Sequence, residues 1–180
     1  MLLVMTVILG VGYPLVVLGV GQAVFHSAAN GSMVTVKGRV VGSSLIGQSF
    51  SGPMWFHSRP SAAGAGYDPM ASGASNLSPS SAALLKQVEQ RRVHIALTDG
   101  VSPASVPPDA LTASGSGLDP SISVAYANEQ VRRVASQRGL SIAVVRQLVA
   151  DSTRGRSLGF LGEPTVNVLA LNVGLARMAG

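Results

Sequence analysis

For its first 36 residues the chain carries no Asp, Glu, Lys or Arg, and within that stretch Leu2 to Phe25 is an almost unbroken apolar run. At about 1.5 Å of rise per residue, such a run extends roughly 36 Å as a helix, against a hydrocarbon core of about 30 Å. A secretory signal would show a basic leader, an apolar stretch of about 7–15 residues and a small-x-small cleavage site. The first two are missing here, and only the neighbourhoods of Gly21-Gln22-Ala23 and Ser27-Ala28-Ala29 offer a cut. We therefore expect a retained membrane helix over residues 1–26 and one domain over 27–180. Membrane helices tolerate a proline such as Pro14 when the freed carbonyl finds another partner. Gly10, Gly12, Gly19 and Gly21 would let a second helix come close, because packing drives much of helix association in lipid. Lys37 and Arg39 are the nearest charges and lie too far along to set orientation. A short basic leader upstream of the apolar opening is a further expectation.

The rest of the chain is long enough for one domain that buries about two thirds of its unfolded surface. With no cysteine, disulfides and thiolate metal sites are excluded. The net charge of +5 comes from 13 scattered basic residues, with Arg91-Arg92 and Arg132-Arg133 the only adjacent pairs. Four Phe, three Tyr and one Trp make no stacking platform. Nucleic acid is thus not an expected partner.

Three zones follow the anchor. Residues 33–78 are rich in Gly, Ser and Pro, and the apolar pieces Val34 to Val36, Val40-Val41 and Met54 to Phe56 predict short strands among ordered loops. Residues 79–98 predict a helix with Ser78 as N-cap, Pro79 in its first position, Gly100 beyond its end and a buried stripe of Leu84, Leu85, Val88 and Ile95. After a Pro/Ser segment and a small-residue loop, a helical pair is expected at 123–138 and 142–152, with Gly139 as stop and Ser141 as N-cap. Val131, Val134, Val145, Leu148 and Val149 recur at helical spacing as its core. Thr165 to Leu171 reads as a strand, with helical character possible from Leu169. This mixture predicts an α/β or α+β domain with a small mixed sheet and flanking helices.

Catalytic signals are weak. His26, His57 and His94 are far apart, and no metal-binding spacing accompanies them. Ser114-Gly115-Ser116-Gly117 does not match a nucleophile elbow, and Gly64-Ala65-Gly66 lacks the Gly-Lys-Ser/Thr ending of a phosphate loop. His57 and Asp68 could serve some serine as base and orienter. A membrane-anchored extracytoplasmic hydrolase therefore stays open beside a binding module released near Val24 or Asn30.

The most distinctive stretch is Gly42-Ser43-Ser44-Leu45-Ile46-Gly47-Gln48-Ser49-Phe50, followed by Trp55-Phe56-His57-Ser58-Arg59-Pro60-Ser61-Ala62. It closely resembles the C-subunit family (KdpC) of the bacterial high-affinity potassium-importing P-type ATPase, the Kdp system. Further matches run in order along the chain: Gly12-Tyr13-Pro14, Tyr67-Asp68-Pro69, Ala71 to Leu77, Asp109 to Pro120, Gln130 with Arg133-Val134-Ala135, Gly159 to Pro164, and Val166 to Leu169 with Leu171-Asn172.

The resemblance implies an accessory subunit with one transmembrane helix in the inner membrane and its domain outside the cytoplasm. Its implied partners are the potassium-channel-like A subunit, the ATP-hydrolysing B subunit, the very small helical F subunit and membrane lipid. It implies no cofactor held by this chain itself, since ATP and potassium are handled by the complex. The family is described as a catalytic chaperone that raises the pump subunit's ATP affinity. The chain has no Asp-Lys-Thr-Gly-Thr sequence, so phosphoryl chemistry falls to a partner. Gly12, Tyr13, Pro14, Gln48, Phe50, Trp55, Phe56, Arg59, Tyr67 and Asn76 are the candidate partner-interface residues. Trp55, Phe56 and Tyr67 could equally be core, Arg59 could instead hold a loop, and Gln48, Asn76, Asn167 and Asn172 suit the tying-down of backbone.

Overall fold

The computed structural model describes residues 1–178, and its contacts divide the chain into two compact units, Met1–Leu45 and Ile46–Gly180. The first unit opens with helices α1 (Leu2–Val7) and α2 (Tyr13–Val24), joined without a break by a π-helical turn over Ile8–Gly12. Pro14 explains the turn. Its ring has no N–H and would collide with the carbonyl four residues back, so the ladder widens just before it, and the Tyr13 N–H reaches Ile8 O. Leu2–Val24 is 23 residues long, apolar enough to cross a membrane, and nowhere buried within this chain. A short helix α3 (His26–Ala29) leads into a hairpin of β1 (Met33–Val36) and β2 (Arg39–Ser43), which contain the apolar pieces predicted as strands. Lys37 at φ 48° and Gly38 at φ 77° are both left-handed, as a two-residue turn matching strand twist requires.

In the second unit, residues 46–81 contain no helix or strand. Helix α4 (Ala82–Asp99) begins at Ser81, whose hydroxyl accepts the Leu84 N–H, and ends at Gly100 in the left-handed conformation. The expected start at Pro79 is corrected. Ser78 O instead accepts the Ser81 N–H, placing Pro79 at the second position of a turn where its fixed φ suits it. Of the expected stripe, Leu84, Val88 and Ile95 are half-buried, whereas Leu85 is 69% exposed.

After a short helix α5 (Pro108–Leu111), strand β3 (Ser121–Ser123) runs into α6 (Val124–Arg138), followed by α7 (Ile142–Asp151), β4 (Thr153–Arg154), β5 (Thr165–Asn167) and α8 (Val168–Met178). Ser123 and Ser141 cap α6 and α7 through hydroxyls that accept the N–H of Tyr126 and Val144, and Gly139 ends α6 at φ 65°. The sheet has the order β3-β5-β4, with Ile122 opposite Val166. Every pairing in it is antiparallel, where a mixed sheet was expected. The strands hold only two or three residues each, and the domain is of the α+β type. Strand β5 also stops at Asn167, earlier than Leu171, because the Asn167 carboxamide accepts the Ala170 N–H and starts α8. Helix α6 packs on α7 and α4, and α7 on α8. Val131, Val134, Val145, Val149, Val166, Leu171 and Leu175 meet in the core, as the helical spacing predicted for the first four.

Candidate functional site

A connection of 36 residues without regular structure is unusual in a compact domain, and most such loops are functional or disordered. This one is ordered by side chains from the helices. Met54 to Phe56, predicted as a strand, has no neighbouring strand, and side chains provide the hydrogen bonds that a neighbour would have made. The Asn172 carboxamide on α8 accepts the Phe56 N–H and donates to the Phe56 carbonyl, both at 2.9 Å. Gln130 on α6 does the same for His57, accepting its N–H at 2.6 Å and donating to its carbonyl at 3.2 Å. Arg133 on α6 donates to the backbone carbonyls of Pro53 and Trp55 and to the Gln130 side-chain oxygen Oε1, while its Nε binds the Asp99 carboxylate at the end of α4. Both members of this ion pair are at least 96% buried. Arg138, one turn further, donates to Met54 O and stands 4.2 Å over the Trp55 ring.

A second set of bonds holds the following residues. Arg59 pairs with Asp119 at 3.0 Å and donates to Thr112 O, so it holds loops of its own chain. The Tyr67 hydroxyl donates to Arg59 O. The Ser61 hydroxyl donates to Gly117 O and accepts the Tyr67 N–H. Gly47 lies against this layer: an added Cβ would stand 2.4 Å from Asp119 O and 2.9 Å from the Tyr67 ring. Gly47→Ala is expected to destabilise the domain by about 1–3 kcal/mol through overpacking alone. Urea unfolding of the purified chain would test this, and an unchanged midpoint would mean that the two loops part freely.

The sequence-predicted residues are thus divided. Phe56 is wholly buried in the core, Phe50 and Trp55 are half-buried with ring centroids 6.4 Å apart, and Gln48 accepts the Ser58 hydroxyl through its carbonyl. Tyr67 and Arg59 are half-buried, while Asn76 is exposed in a left-handed conformation at φ 51°. Gly12 is exposed in the π turn, and Tyr13 and Pro14 are exposed at the start of α2. His57 and Asp68 are not joined. His57 Nε2 faces Gly52 O at 2.9 Å, and the Asp68 carboxylate accepts the Met70 N–H. Burial lowers the His57 pKa, which leaves its ring neutral at pH 7. Among the described residues no group of three His, Cys, Asp or Glu could hold a metal ion.

Sequence reasoning missed Asp99 and Glu129. Asp99 falls on the same helical face as Leu84, Val88 and Ile95, and an acid on an apolar stripe signals a buried partner. Glu129 has one shielded carboxylate oxygen without a hydrogen-bond partner. Desolvation, then the charges of Asp99 and Asp109, push its pKa from 4.5 up to about 7. In the unfolded chain the group titrates near its ordinary value, so between these pH values the folded state holds the extra proton. The stability present below pH 4.5 is therefore lost as pH rises through about 7. Wild-type melting temperature is expected to fall across this window, and Glu129→Gln to flatten the fall. An unchanged slope in the variant would exclude Glu129 as its source.

These features first define a class: an α+β domain following one candidate membrane span, in which Gln130, Arg133 and Asn172 are engaged in holding a loop of the same chain. The family model described as "KdpC: K+-transporting ATPase, c chain" matches residues 1–177. The potassium-transporting ATPase KdpC subunit of Kineococcus radiotolerans is 60% identical over 179 residues, covering 99% of this chain and 91% of that one. The KdpC subunit of Acidobacterium capsulatum is 52% identical over 176 residues, covering 98% and 94% respectively. That of Mycobacterium tuberculosis is 52% identical over 180 residues, covering 99% and 95%. The chain belongs to the KdpC family. It is accordingly a membrane protein and a subunit of the K+-transporting ATPase, which implies a complex with other subunits.

Proposed function

We propose that this chain is a non-catalytic accessory subunit that assembles and stabilises the Kdp complex and modulates ATP use by its pump subunit. The observation that carries the reading is the family match over residues 1–177, on a domain whose buried polar side chains, Ser43, Asp99, Gln130, Arg133 and Asn172, all bond within the chain. Residues 1–26 anchor it in the inner membrane, and 27–180 stand outside the cytoplasm against the channel-like A subunit. The ATP-hydrolysing B subunit and the small F subunit complete the assembly. A single helix encloses no pore, so potassium passes through a partner. Gly12, Tyr13 and Pro14 lie on the part of the anchor offered to a partner helix, and Gln48, Phe50, Trp55, Arg59, Tyr67 and Asn76 contribute to a loop surface offered to a partner subunit.

From outside the cytoplasm, any effect on ATP is a coupling between pump conformations. Its size is limited by this subunit's differential affinity for them. The test is purification of the tagged chain from mildly solubilised membranes of potassium-starved cells. A potassium-stimulated ATPase is expected to co-purify and to be lost when the chain is deleted. Recovery of the intact chain alone, or hydrolysis of ATP or an ester by that lone chain, would overturn the reading.

A further inference from the structure

Between β4 and β5 the chain makes a tight excursion whose apolar side chains lie outside the buried core. Ser157 and Leu161 pair antiparallel, each N–H donating to the other's carbonyl at 2.9 Å. At its base, Arg156 Nη2 contacts both oxygens of Glu163 at 3.0 and 2.8 Å. The turn so fixed leaves Leu158 82%, Phe160 69% and Leu161 50% exposed. Leu158 also lies in the left-handed region at φ 54°, which a leucine side chain disfavours. Exposed apolar side chains on a disfavoured but well-bonded turn do not stabilise the free domain. They suit contact with something else.

We propose that the 157–161 tip is a plug that this chain inserts into an apolar pocket on another subunit of the same ATPase. The inference rests on the accessory-subunit reading. The chemistry favours a protein pocket over lipid. Lipid headgroups are recognised by clusters of about 4–8 basic residues, and the membrane interface favours Trp and Tyr. The tip contains no Trp, Tyr or Lys, and the Arg156 charge at its base is neutralised by Glu163. An apolar centre with an aromatic anchor and a largely self-neutralised polar rim is the anatomy of a protein interface. Arg154 is exposed at the end of β4, so Arg154, Arg156 and Glu163 together carry one net positive charge. That charge calls for an acidic group on the rim of the receiving pocket. The turn's own bonds fix it before contact, which lowers the cost of ordering on binding.

The test uses the intact complex carrying a photo-crosslinking phenylalanine analogue at position 158 or 160, with position 85 on α4 as exposed control. Crosslinks from 158 and 160 to one and the same other subunit, and none from 85, are expected. Leu158→Ser with Phe160→Ser is expected to speed loss of the chain from the diluted complex at least tenfold, with Phe160→Leu close to wild type. The melting temperature of the isolated full-length variant should not change, which separates lost docking from lost folding. Crosslinks only to lipid or to a second copy of this chain, or wild-type retention of the double variant, would overturn the plug. If the wild-type chain itself brings down no other subunit, the accessory reading fails first, and the plug with it.

Discussion

Arg133→Ala is expected to lower the unfolding free energy by about 3–5 kcal/mol, the range for removing one partner of a buried ion pair. The substitution strands the Asp99 carboxylate, which is 3% exposed, and leaves the Pro53 and Trp55 carbonyls without their donor. Arg133→Lys keeps the charge but not the fork. A single ammonium cannot reach Asp99, two carbonyls and the Gln130 side chain in one plane, so only partial rescue is expected. Denaturant unfolding gives the magnitude. Trp55, the only tryptophan, reports the cause, because release of residues 53–57 should shift its emission toward that of solvated indole before global unfolding. A loss below about 1 kcal/mol, the range of exposed pairs, would contradict the role assigned to Arg133.

Phe56→Ala is expected to cost a similar amount, about 3–5 kcal/mol, through lost transfer energy and the cavity left behind. The Phe56 ring is at 0% exposure, and its backbone is the segment that Asn172 grips. Ring and carboxamide therefore anchor one loop to one helix from two sides. Asn172→Ala would leave a buried N–H and C=O without partners, at about 1–3 kcal/mol each. The two substitutions should not add, since once either has released the loop, the other has less to lose. Additivity within about 0.5 kcal/mol would mean that ring and backbone are held independently.

The same loop shows why some of the architecture was legible and some was not. The helix ends at Gly100 and Gly139 and the starts at Ser123 and Ser141 depend on groups a few residues apart, so local pattern identifies them. Ser81 prevailed over Ser78 as the cap of α4 because either hydroxyl satisfies the local rule, and the turn containing Pro79 decided between them. Met54 to Phe56 carries the apolar signature of a strand, but whether a strand forms depends on a neighbour to pair with. Its partners come from Arg138, Arg133 and Asn172, the last 116 residues from Phe56. Local pattern leaves Arg59 open between a partner's carboxylate and its own chain's carbonyls, and Asp119 and Thr112, 60 and 53 residues away, decide it.

The sequence by itself determined the apolar span, the helical pair α6 and α7 with the stop at Gly139 and the cap at Ser141, the end of α4 at Gly100, the valine core and the family. Each is written in composition, short-range periodicity or an ordered set of motifs, and none requires knowing which distant residues meet. Only the tertiary structure decided that the sheet is antiparallel, that side-chain guanidinium and amide groups replace a strand's partner along residues 53–57, and that Leu158, Phe160 and Leu161 stand exposed. Strand direction, the capture of a loop and the exposure of a side chain are properties of pairs of surfaces. Their free energies are set by burial and hydrogen bonding between segments far apart in the chain, which no local pattern encodes.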